Sequence, residues 1–75
     1  MTLEKVARSW NTEDLIKFLL KQDLQLDGDD IDILRKCKVA GYDFFDFTKN
    51  EFREFGLQVG PATRLAKFSM ENKTK

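Results

Sequence analysis

From Trp10 to Phe68 the apolar positions recur at helical spacing, interrupted by short polar or glycine-marked breaks. Leu15, Ile16, Phe18, Leu19 and Leu20 make a wide apolar face, with Lys17 and Lys21 on the wet side. This predicts a helix that begins after Asn11 and ends near Gln22. Asn11 suits an N-cap, and Glu13 and Asp14 suit the positive first turn. Trp10, just before the cap, is placed to fold back as a hydrophobic staple. Asp27-Gly28 reads as a turn. Asp29 and Asp30 are then expected to cap and charge a second helix of about two turns. Its inward stripe is Ile31, Leu34 and Cys37 or Lys38, and Gly41 is expected to break it.

The segment Tyr42–Phe47 is too short for a periodic assignment. A lone strand cannot satisfy its own backbone, so a single helical turn is expected. Thr48 and Glu51 have the spacing of a capping box, which opens a fourth helix ending near Phe55. Gly56 follows where a left-handed residue can close that helix. Gly60-Pro61 opens the fifth, with proline expected at the first helical position, where its missing N–H costs nothing. That helix runs to about Asn72, with Ala62, Leu65, Ala66 and Phe68 as core contacts. Residues 1–9 read as an N-terminal extension, 10–71 as the domain, and the closing NKTK (72–75) as a frayed tail.

Composition narrows the function. Seventy-five residues hold one domain, and seven Phe with one Trp and one Tyr supply its apolar area. Cys37 is the only cysteine, so no internal disulfide forms, which favours a reducing, intracellular compartment. No apolar run spans a bilayer, and MTLEKVARSW lacks the apolar stretch of a signal peptide. There is no histidine, metal constellation or phosphate loop, so an enzyme is not expected, and no cofactor. The run D-G-D-D-I-D lacks the spacing and terminal Glu of an EF-hand. The net charge of zero hides an asymmetry: residues 23–46 carry −4 and residues 60–75 carry +3. Separated signs on a small domain can make one acidic and one basic face. Ordinary solvated helix surfaces would also read this way.

The ordered series of motifs resembles the sterile alpha motif (SAM) domain over about Trp10–Met70. Trp10-Asn11-Thr12-Glu13-Asp14-Leu15 looks like the family's W-[ST]-x-E-[DE]-V start. Phe18-Leu19 stands where Trp-Leu is usual, and Val39-Ala40-Gly41 is similar to I-D-G. TKNEFREFGL (48–57) is close to L-T-x-E-D-L-x-x-L-G-I, and residues 60–68 match the glycine-initiated, basic last helix. Asn11 replaces the usual Ser or Thr, Phe47 replaces Leu, and Q-L-D-G-D-D looks like a short insertion.

The resemblance implies an all-α, five-helix bundle with a longer C-terminal helix. It implies a protein-interaction module that pairs with another SAM domain or with itself, in some cases as a head-to-tail polymer. Carried over, Asp43, Asp46, Glu51 and Glu54 fall on the acidic mid-loop face. Gln58, Val59, Gly60, Pro61, Thr63, Arg64 and Lys67 fall on the end-helix face. The alternative is a SAM domain that binds RNA hairpins through Lys17, Lys21, Arg64 and Lys67, for which a neutral chain offers a weak electrostatic footprint.

Overall fold

The computed structural model describes residues 3–73. Within them the chain is all-helical: α1 Leu3–Ala7, α2 Thr12–Lys21, α3 Gly28–Lys36, α4 Gly41–Phe44, α5 Lys49–Glu54 and the longest, α6, Val59–Glu71. Five helices were expected and six are present. The additional one is α1, in the segment read as an extension. Ala7 at its end is fully buried, and α1 packs against α4.

Local capping sets most boundaries. The Asn11 side chain accepts from the Asp14 amide at 2.8 Å, as expected. At α3 the expectation needs correction. Asp27 is the cap, and Asp30 completes a capping box with it, so Asp29 and Asp30 lie inside the first turn. An aspartate one residue ahead of Gly28 has the extended backbone that a cap needs. The box of Thr48 and Glu51 forms as expected, with bonds of 3.0 and 3.2 Å.

Helix ends are equally local. Gly56 has φ +112° and closes α5. Lys38 has φ +54° and does the same for α3. There the amides of Val39 and Lys38 donate to the carbonyls of Leu34 and Arg35, a Schellman ending built on lysine instead of glycine. This unwinding turns Cys37 and Lys38 to solvent, so neither belongs to the inward stripe, while Ile31 and Leu34 are buried. Gly41 therefore does not break α3. It starts α4. Pro61 is the third residue of α6, not its first. It still sits among the amides that have no intrahelical acceptor, and the Ala62 amide makes the first bond, to Gln58.

The buried core is mostly aliphatic, and a network of aromatic rings runs through and beside it. Rings pass in contact from Trp10 to Phe18 (4.9 Å between centroids), Phe68 (6.0 Å), Phe44 (6.4 Å) and Phe52 (5.7 Å). Phe45 joins at Phe44, and Phe47 and Phe55 join at Phe52, so one network holds all seven phenylalanines. Trp10 does fold back on α2, two turns in, at Phe18. Leu15, Leu19, Leu34, Leu65 and Ala62 fill the remaining interior. Ser69 is buried on α6 beside the expected Ala62, Leu65 and Ala66. The last two residues of the expected frayed tail, 74 and 75, lie outside the described residues.

Candidate functional site

The N-terminus of α6 differs from those of α2, α3 and α5. Those three carry a capping side chain and an acid in the first turn, and α6 has neither among the described residues. The amides of Val59 and Gly60 lack an intrahelical acceptor, and Gln58 offers no side-chain cap. The end of the helix macrodipole is thus left uncompensated and positive. Val59 is 50% exposed beside it, an apolar contact of the kind that interfaces bury. Gln58, Gly60, Thr63 and Lys67 are exposed too, and Pro61 is half-buried.

Arg64 faces inward more than the sequence indicated. Its Nε donates to the Leu24 carbonyl at 2.6 Å and its Nη2 to the Gln25 carbonyl at 3.3 Å. Gln25 has φ +57°, and Arg64 holds this left-handed turn between α2 and α3 in place. The guanidinium also lies over Gly60, where an added Cβ would meet Nη1 at 3.2 Å. Its donors are partly used, yet its charge stays at the α6 N-terminus. Lys67 borders a shallow groove with Asp23, Leu24, Phe68 and Glu71, and makes no ion pair among the described residues.

The expected acidic residues divide in a similar way. The Glu51 carboxylate accepts from the Thr48 amide as half of the capping box. Asp46 accepts from Arg8 at 3.2 and 3.3 Å and lies 3.9 Å from Lys73. Asp43 on α4 and Glu54 on α5 make no ion pair among the described residues and remain available. Glu54 lines an open groove with Asn50, Arg53 and Leu57, so this face mixes signs.

Arg8 is the residue that the sequence reading missed. It bonds Glu4 within α1, Asp46, and the Tyr42 carbonyl at 2.6 Å, and its guanidinium lies 5.9 Å from the centre of the Tyr42 ring. These partners, Asp46 first and then Glu4, raise its pKa above the ordinary arginine value. The available signal was the spacing of Leu3, Val6 and Ala7, one apolar turn ahead of Trp10. Elsewhere Arg35 bonds Glu13 at 2.8 and 3.1 Å, joining α3 to α2. Its hydrogen bond holds the exposed Glu13 carboxyl below the usual range. The RNA-face lysines, Lys17 and Lys21, are exposed on α2, while Arg64 is committed as described.

No cluster of three or more metal-ligating side chains occurs among the described residues, and no helix there is long and apolar enough to cross a membrane. Comparison with curated proteins and with solved structures finds no match. The family model described as a SAM-like domain matches residues 1–71, which takes in α1 as well as the five later helices. The chain belongs to the SAM-like domain family, whose members are in general protein-interaction modules.

Proposed function

We propose that this domain assembles with a second SAM-like domain, itself or a partner, by seating carboxylates of one copy on the α6 N-terminus of the next. The uncapped, acid-free start of α6 beside exposed Val59 carries the reading. Free amides and a positive dipole end favour an incoming carboxylate. Val59 supplies an apolar centre, and Lys67 with the Arg64 charge supplies the surrounding field. On the opposing copy Asp43 and Glu54 have carboxylates free to meet it, with Asp46 and Glu51 contributing around them. Two different patches make a heterologous contact, which continues as an open filament unless it closes into a ring.

The test is sedimentation velocity from micromolar to millimolar protein at several salt concentrations. Mass is expected to grow with concentration and to fall with salt. Val59→Asp places a carboxylate on its own helix N-terminus and should abolish growth while preserving the fold. Glu54→Lys should do the same from the other face. A mixture of the two variants retains one intact pair of faces and should stop at a heterodimer. A wild-type chain that stays monomeric throughout, with no SAM-like partner binding it, overturns the reading.

A further inference from the structure

A second surface lies away from the α6 N-terminus. Between the α4–α5 connection and the C-terminal half of α6 runs a cleft of ≈ 220 Å³. Phe45, Phe47, Ala66 and Met70 supply apolar walls, and Lys49 and Lys73 stand at the rim. Met70 is 76% exposed, so a large flexible apolar side chain borders an unfilled groove. Thioether side chains adapt to varied apolar partners. The volume is below the roughly 300–1,000 Å³ of small-molecule sites and suits one or two inserted side chains.

The charge at the rim selects among occupants. Asp46 also lines the cleft, but its carboxylate is bonded by Arg8, which does not line it. Lys73 reaches Asp46 only at 3.9 Å, and both side chains are about half exposed, so this pair is readily exchanged. Lys49 has no ion-pair partner among the described residues. The groove is therefore apolar within and cationic at its edge.

We infer that this cleft docks a short acidic peptide segment, with an apolar side chain seated against Phe45, Ala66 and Met70 and its flanking carboxylates on Lys49 and Lys73. The contact is separate from the α6 N-terminus and does not depend on self-assembly. Apolar insertion provides the affinity, and the two ammonium groups provide the sign preference.

The probe is a capped octapeptide with a central Leu-Phe pair and three Glu on each side, titrated into the isotope-labelled full chain and followed by amide shifts. Shifts are expected at Thr48, Lys49, Ala66, Ser69 and Met70. Replacing Leu-Phe by Ala-Ala, or Glu by Lys, should weaken binding at least tenfold. Lys49→Glu and Met70→Ala, both surface changes whose folding is checked by circular dichroism, should each weaken it several-fold. Val59→Asp should bind the peptide as the wild type does, which separates this contact from the proposed assembly. Absence of shifts, shifts centred elsewhere, or equal binding of the Lys-flanked peptide overturns the inference. So do shifts in the cleft that follow the concentration of the assembly-blocked Val59→Asp chain without peptide, since a second copy would then be its occupant.

Discussion

Gly41 lies so close to Ala7 that a Cβ on the glycine would stand 1.8 Å from the Ala7 carbonyl oxygen. The obstacle is backbone, which cannot swing aside. A neighbouring bond fixes the approach, since the Gly41 amide donates to the Trp10 carbonyl at 3.1 Å. Glycine at this position is what lets α1 dock on α4. Gly41→Ala is expected to destabilise the domain by about 2–3 kcal/mol, as overpacked interiors do. Urea denaturation measures it, and hydrogen exchange should show the α1 amides losing protection first.

Arg64 gives a second prediction. Arg64→Met keeps much of the side chain's apolar length and removes both bonds to the Leu24 and Gln25 carbonyls. A loss of about 1.5–3 kcal/mol is expected, the range for hydrogen bonds from a charged group. Amides near Gln25 should exchange faster. Arg64→Lys should rescue only part of the loss, because an ammonium does not reproduce the fork of a guanidinium. A change here would weaken assembly through the fold as well as through charge, so Val59 is the cleaner target.

Lys38 and Gly56 make opposite predictions from one cause. Both residues adopt a left-handed backbone at a helix end, Lys38 at φ +54° and Gly56 at φ +112°. Glycine pays no Cβ penalty there. Lys38→Gly should therefore stabilise the domain, and Gly56→Ala should destabilise it, each by about 1 kcal/mol. At Gly56 space is not the obstacle, since the nearest side-chain atom, Cδ1 of Ile33, would be 3.7 Å from the added Cβ. Thermal melts of the two variants decide the matter.

Asp30 links stability to pH. Burial is the main cause that lifts its carboxyl above the ordinary aspartate range, and the nearby Asp27 charge adds to it. A raised folded-state pKa means that the native state holds this proton more tightly than the unfolded chain does. The contribution of Asp30 is then most favourable below the ordinary aspartate pKa and declines as pH rises through the folded value. Asp30→Asn keeps an oxygen to accept from the Asp27 amide and removes the titration. Urea midpoints between pH 3.5 and pH 6, conditions chosen around the ordinary carboxylate range, should show the wild type losing stability relative to the variant as pH rises. Identical profiles would refute it.

Arg8→Ala tests the docking of α1. It removes the bonds to Glu4, to Asp46 and to the Tyr42 carbonyl, and the ring contact with Tyr42. The side chain is about one-third exposed, so solvent screening limits the loss to about 1 kcal/mol. Exchange protection should fall in α1 and α4, while α6 should keep its own.

What the chain discloses by itself is what forms within one helical turn. The caps at Asn11 and Thr48, the glycine closure at Gly56 and the helical turn after Gly41 each rest on partners at most four residues away. The phenylalanines were legible as core because each carries a large apolar area, whereas Tyr42 is 67% exposed. Where several aspartates compete for one cap, at Asp27–Asp30, the backbone decides it in favour of Asp27. Only the tertiary structure decided how the charges are spent. Arg64 meets Leu24 forty residues away in sequence, and Arg8 meets Asp46 across thirty-eight. Such pairs follow from how the helices pack, and a linear charge count cannot distinguish a carboxylate bonded within the fold from one left for a partner. The same packing required glycine at position 41, where α1 meets α4.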